Sequence, residues 1–416
     1  MDFDDTPEEA AFRQQVRSWL DANAERRTPG ERREAPVGVA DRTSDLLVRA
    51  RAWQARKADA GWACITWPVE YGGRGATAIQ NVIFEQEEAR YRVPPNLFSV
   101  GQGMLGPTLM VHGSAAQQRR YLPPMLRADE IWCQLFSEPA AGSDLAGLRT
   151  SAVRDGDAWI LHGQKTWTSG AHYSKWGMVL TRTDPSAPKH AGITYFIVDM
   201  ESPGIEIRPI RQINGESDFN EVFFDGARVP DENRVGAVND GWRCALTTLM
   251  NERLVLGGGT GYGPGFDELL QLARETPWSG RPALQDAGVR QRLADFYVRA
   301  RGLEHTRNRA WTALSRGQTP GPENAIGKLV GAALRQQLGS FALELQGSAG
   351  AGLDAEATPV GASFQEIYLY AAGLRLAGGT DEILRNILAE RVLGLPGEPR
   401  VDKDLAFQEI PTRRGR

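Results

Sequence analysis

Cysteine is scarce and scattered. Cys64, Cys133 and Cys244 are the only three in 416 residues, far apart and without metal-ligand spacing. They read as free thiols, not as a disulfide framework or a zinc site. The five histidines, His112, His162, His172, His190 and His305, are equally ungrouped, so neither metal catalysis nor a serine–histidine arrangement is indicated. No apolar run is long enough to span a bilayer, and no basic-then-apolar leader follows Met1, whose neighbours are acidic. The expectation is a cytoplasmic protein with no integral membrane segment. Positive charge is not in excess either: the formal net charge is −4, which argues against nucleic acid or an anionic membrane as the main partner. Internal repeats and low-complexity tracts are missing.

What is present is an ordinary globular composition, 41% hydrophobic and 24% charged, on a chain long enough for two or three packed units. Helical periodicity runs over Thr6–Ala22, Ser44–Ala60, Gln80–Arg90, Gln102–His112 and Ala115–Leu126. From Trp132 the period changes to two, with short β-rich runs at Trp159–Leu161, Gly177–Leu180, Ile193–Val198, Ile205–Arg208 and Glu221–Phe224. Helical periodicity returns after Gly241 and lasts to about Leu393, broken by Pro/Gly-rich connections at 276–282, 317–322 and 350–361. This divides the chain into a helical domain (1–131), a β domain (132–240) and a second helical domain (241–416).

The most informative stretch is Gln134–Trp176. Two small polar loops, Phe136–Asp144 (FSEPAAGSD) and Gln164–Gly170 (QKTWTSG), bracket an alternating segment with an Asp-Gly turn signal, a hairpin that sets the two loops side by side. Glycine and serine let backbone N–H groups approach a ligand closely and add hydroxyl donors, which suits a flat, hydrogen-bond-rich, anionic cofactor better than a metal.

These strings resemble the two flavin loops of the acyl-CoA dehydrogenase family. The resemblance extends over nearly the whole chain, through Gly61–Gly75, Phe219–Asp225, Asp240-Gly-Trp242 and Gly378–Pro396. It implies an α+β, three-domain subunit: an N-terminal helical domain, a middle β-barrel and a C-terminal four-helix bundle. It implies FAD as cofactor, an acyl-CoA substrate, an electron-transfer flavoprotein as acceptor, and a homo-oligomer, dimer or tetramer. By position, flavin contacts fall to Phe136, Ser137, Ser143, Trp167 and Ser169, with Thr380 and Glu382 approaching from the last domain. Ser143 and Arg253 fall on the substrate side. Thr380 also reads as the cap of a helix begun by Asp381 and Glu382.

The reaction implied needs a base to take the proton α to the thioester while the flavin accepts hydride from the β carbon. Many relatives place a glutamate immediately before the Gly-Thr of the last turn, where this chain has Gly378. A second branch, resembling isovaleryl-CoA dehydrogenase, places it on an earlier helix, and Glu252 falls there. Periodicity supports this separately: on a helix from Trp242 to Leu256, the residues Ala245, Leu249, Glu252 and Leu256 share a row. A carboxylate in an apolar stripe is desolvated, which raises its pKa toward that of a useful base; the alternative is a core salt bridge. Asp381 and Glu382 are the other acids near the turn.

Two elements depart from the family pattern, Arg274–Gly280 and Glu344–Gly350, and no adenosine-side contacts are assigned to them. An oxidase or monooxygenase on the same fold, and one subunit of a heteromeric dehydrogenase, are the competing readings.

Overall fold

The computed structural model describes residues 5–28, 31, 34, 39–257, 263–318, 321–399 and 401–411, the side chains of 253–257 excepted. The side chains of Arg253 and Leu256 therefore lie outside the described residues. Two compact units emerge, one formed by 7–255 with 398–416 and the other by 256–397.

The first unit opens with helices α1 (Pro7–Asn23), α2 (Asp45–Asp59), α3 (Ala78–Glu88), α4 (Gly106–His112) and α5 (Ala115–Arg127), close to the boundaries read from periodicity except at α4, expected from Gln102 but beginning only at Gly106. Phe12, Val16 and Leu20 recur every fourth residue on α1 and are buried with Trp53, Trp62, Ile83 and Phe84. Reciprocal capping boxes, Thr77 with Gln80 and Ser114 with Gln117, start α3 and α5. A turn of π-helix, Val100–Leu105, feeds α4. Gly101 and Gly106 make this segment's close packing possible: a Cβ on Gly106 would lie 2.3 Å from the Trp67 ring, and one on Gly101 would lie 3.2 Å from Met125 and Trp132.

The sheet follows: β1 (Trp132–Leu135), β2 (Ser151–Asp155), β3 (Ala158–Ser169), β4 (Trp176–Arg182), β5 (Ile193–Asp199), β6 (Ile205–Ile210), β7 (Phe219–Pro230) and β8 (Arg234–Val235). The strand order is β6-β7-β3-β2-β4-β5-β8, with β1 parallel to β4. Every residue of β4 is buried. On one side Met178, Leu180, Tyr195 and Ile197 pack with Leu105, Leu109, Leu122, Cys244 and Ala245 of the helices. On the other Val179, Phe196 and Val198 meet Trp159, Leu161, Val222 and Phe224. The second polar loop expected from sequence is instead strand. Gln164–Ser169 belongs to β3 and pairs with β7, the register shifting between Lys165 and Thr168; a bulge, rather than a loop, re-aims its side chains.

Helix α6 (Gly241–Gly257) leaves the sheet. In the second unit α7 (Phe266–Glu275), the small hairpin β9–β10 (Pro277–Trp278, Arg281–Pro282), α8 (Ala287–Ser315), α9 (Ala325–Gln346), α10 (Ser363–Leu374) and α11 (Asp381–Arg391) follow. Leu269, Leu293, Phe296, Phe341, Phe364 and Ile367 form their common core. No helix among the described residues is long and apolar enough to cross a membrane.

Candidate active site

The stretch after β1 turns sharply at Pro139: the Glu138 and Ala141 backbones exchange two hydrogen bonds of 3.0 Å. The two cofactor segments are joined directly, Thr166 N–H donating to the Ser137 carbonyl at 2.9 Å. Beneath that contact lies an ion pair that sequence reading passed over. Lys165, with no exposed surface, donates to Glu138 Oε1 at 2.8 Å and to the Phe136 carbonyl at 3.1 Å. Glu138 also accepts from the backbone N–H groups of Arg149 (2.6 Å) and Thr150 (2.9 Å).

Burial opposes charge on both partners and pulls the Lys165 pKa down. On Glu138 burial is outweighed by the Lys165 charge and the convergent donors, so its carboxyl stays below the ordinary range. The convergent donors favour the charged form of the carboxylate. A signal was available in the sequence, since Lys165 falls in period-two register with the inward Trp159 and Leu161.

Above this clasp Ser137 is half-buried while Ser143, Trp167 and Ser169 are exposed. Trp167 sits at the bulge with φ +58° and its side chain 60% exposed, an unusual conformation for an aromatic, braced by Phe219 edge-on at 6.0 Å. Next to it the Thr168 hydroxyl is buried without a protein partner. Exposed serines, a presented indole and an unpartnered hydroxyl fit a flat, hydrogen-bonding cofactor such as an isoalloxazine. Phe136 itself is buried, edge-on to Tyr195 at 5.7 Å, so any cofactor contact from it falls to its backbone.

Glu252 lies on α6 as the row required. Ala245 is fully buried, Leu249 packs against the same core and Glu252 is partly buried, while Leu246 and Met250 on the other face are exposed. Gln134 on β1 donates to Glu252 Oε2 at 3.3 Å. Tyr195 lies close by; burial raises its phenol pKa, and the Glu252 charge adds to the rise. Helices α4 and α6 are tied through Thr108 and Thr248 (2.8 Å), and Thr248 reaches the Tyr195 hydroxyl at 3.2 Å.

The turn before α11 is different. Gly378 and Gly379 take φ of +66° and +99°, a backbone that would strain a glutamate at 378. Thr380 caps α11, accepting from Ile383 N–H at 3.3 Å. Asp381 is buried and held by Arg375 at 2.7 Å, and its Oδ1 has no partner. Glu382 is exposed, and backbone and Thr380 hydrogen bonds lower its pKa. The two departures from the family pattern also meet: Glu275–Ser279 and Gln346–Ala349 line one groove of about 610 Å³. There the buried amide nitrogen of Gln346 is unpaired while its oxygen accepts from Gln365 at 2.9 Å.

A three-part chain with a flavin-type cradle beside a half-buried glutamate defines a flavin-dependent dehydrogenase. More specifically, the family models for the acyl-CoA dehydrogenase N-terminal, middle and C-terminal domains match residues 6–129, 133–227 and 239–393, and the chain belongs to the acyl-CoA dehydrogenase family, whose members are FAD-dependent flavoproteins. Acyl-CoA dehydrogenase IpdE1 of Mycobacterium tuberculosis is 42% identical over 395 residues, 94% of this chain and 98% of that one. Acyl-CoA dehydrogenase FadE29 of the same organism is 32% identical over 401 residues, 96% and 100% of the two chains. Among solved structures, the Tcur3481-Tcur3483 steroid ACAD aligns with TM-score 0.78 at 27% identity, covering 96% of this chain and 100% of that one. The ChsE4-ChsE5 complex from Mycobacterium tuberculosis aligns with TM-score 0.75 at 27% identity and the same coverage.

Proposed function

We propose that this chain converts a bulky, steroid-like acyl-CoA into its 2-enoyl thioester, with Glu252 as the base that removes the α proton. The position of Glu252 carries this reading: its apolar row desolvates the carboxylate, and the Gln134 amide, 3.3 Å away, orients it. Bound FAD supplies the hydride acceptor for the β hydrogen. The backbone at Phe136, with Ser137, Ser143, Trp167 and Ser169, holds the cofactor from the middle domain; Thr380 and Glu382 are assigned to the same cofactor by the family resemblance. Ser143 meets the substrate. The likeness to a steroid ACAD supports the bulky ligand. Electrons then pass to an electron-transfer flavoprotein in the cytoplasm.

A heteromeric pair accounts for the altered elements better than a homo-oligomer does. Both solved relatives are named as pairs of two chains. The altered elements line one groove between Trp278 and Gln346, where the Gln346 amide nitrogen is buried without a partner. The test is an anaerobic titration of the purified protein with short, medium, branched and steroid-like acyl-CoAs, following the flavin spectrum. Bleaching by the steroid-like thioester is the expected result. Bleaching only by a short chain overturns the substrate class, and rapid oxygen consumption with a non-thioester substrate overturns the dehydrogenase reading. A colourless chain that gains flavin when co-expressed with a paralogue bears out the pairing.

A further inference from the structure

The segment after α11 returns to the first unit and grips the outer side of the Ser143 loop. Asp402 Oδ2 accepts from Lys189 Nζ at 2.7 Å, and the same ammonium lies 3.1 Å from both carboxylate oxygens of Asp144. Phe407 N–H donates to the Ala187 carbonyl at 2.9 Å and Gln408 N–H to that of Pro185 at 3.0 Å. The Phe407 ring lies 3.8 Å from the Arg182 guanidinium and 5.2 Å from that of Arg149.

Arg182 is the hub of this contact. It is buried, and it donates to the carbonyls of Ala146 at 2.6 Å, Lys189 at 2.7 Å and, more weakly, Leu148 at 3.4 Å. Its Nε has no partner, and burial pushes its pKa down to about 10. A cation so placed gains from an aromatic face laid over it. Ala146 and Leu148 follow Ser143 and Asp144 directly, while Glu138 closes the other end of the same loop through the Arg149 and Thr150 amides. The loop is thus held from inside by Glu138 and from outside by the returning segment.

We propose that residues 402–410 are a positioning element for the Ser143–Asp144 loop, acting through Asp402–Lys189–Asp144 and Phe407–Arg182, and that they set its affinity for a pyrophosphate ester. This rests on the assignment of Ser143 to cofactor and substrate. FAD and CoA both carry that chemistry, and separate measurements distinguish them.

The experiment uses the full chain and its Asp402→Asn, Asp402→Glu and Phe407→Ala variants. Three readings are taken: FAD dissociation, KM and kcat with the acyl-CoA that bleaches the wild-type flavin, and amide exchange of peptides covering 139–150. Asp402→Asn should raise either the FAD dissociation constant or KM by about fivefold, the scale of a partly exposed ion pair, and leave kcat within about twofold. A rise in the first names the cofactor as the ligand tuned, and a rise in the second the thioester. Asp402→Glu should restore the value, and exchange at 143–148 should quicken in the Asn and Ala variants. Unchanged exchange and unchanged constants in Asp402→Asn overturn the proposal even if Phe407→Ala does not fold. A fall in kcat alone overturns it too. If no acyl-CoA bleaches the wild type, the dehydrogenase reading fails, while FAD dissociation and exchange still decide the role of the segment.

Discussion

The one acid on α6 and the two of the turn before α11 are held in different ways. Glu252 stands in an apolar row with an amide donor and a buried tyrosine beside it, while Asp381 is neutralised by Arg375 and Glu382 lies in solvent over a helix N-terminus. An acid paired with arginine, or favoured as an anion by backbone donors, is a weak base, whereas apolar surroundings act on a carboxylate in the opposite sense. The glycine at 378 takes φ +66°, a backbone suited to the turn and not to a glutamate base at that position.

Glu252→Gln tests this difference most directly. The amide keeps the shape and removes the proposed base, so flavin reduction by substrate should fall by about a thousandfold or more, with flavin binding intact. Stopped-flow reduction under anaerobic conditions measures it. Near-normal reduction would return the role to Asp381 or Glu382.

The next largest effect concerns a second contrast, between the Lys165–Glu138 pair and the Arg375–Asp381 pair. The first has donors on both oxygens of its carboxylate; the second leaves Asp381 Oδ1 without a partner. Lys165→Met strands a buried carboxylate and should cost about 3–5 kcal/mol, with loss of flavin on gel filtration. Adding Glu138→Gln should recover much of the loss, which a double-mutant cycle reads. The pH dependence follows from the sign of the Glu138 shift. Its folded pKa is below the unfolded value of 4.5, so the stabilisation is fully present above pH 4.5 and disappears as pH falls through the lower folded value. Thermal melts between pH 6 and pH 3 should show the wild type losing this increment only below 4.5, and the double variant lacking the step.

Asp381→Asn should be smaller and of another kind. It weakens the contact to Arg375, whose side chain is 40% exposed, and should lower stability by about 1–2 kcal/mol, leaving reduction by substrate close to wild type. A large loss of reduction with flavin retained would erase the distinction between the two sets of acids.

Most boundaries of the N-terminal helices and the row of Ala245, Leu249 and Glu252 were legible because both follow from burial on one face of a regular helix, and 3.6-residue periodicity records that; β3 and β7 run well past the short runs expected. The flavin segments were legible as strings but not as geometry. Gln164–Ser169 is flanked by glycines yet lies in β3, because β7 pairs with Gln164, Lys165, Thr168 and Ser169 and the bulge at Thr166–Trp167 absorbs the mismatch. Lys165 was passed over because a lysine in a polar string suggests solvent, and its partner Glu138 is 27 residues away. The tail contacts with Lys189 and Arg182 span more than 200 residues, and no local pattern encodes such pairings.

The smallest effect separates two roles of one residue. Thr380 caps α11 through Ile383 N–H at 3.3 Å, and the family resemblance also brings it to the flavin. Thr380→Ala removes both. Loss of the cap should lower stability by about 1 kcal/mol, and loss of a hydroxyl contact should weaken FAD binding by about tenfold. Thr380→Asp keeps a good cap but adds a negative charge; if Thr380 also meets the flavin, it should restore the melting temperature while leaving FAD weakly bound. If FAD affinity recovers together with the melt, Thr380 is a cap alone, and the turn before α11 contributes shape to the site rather than a contact.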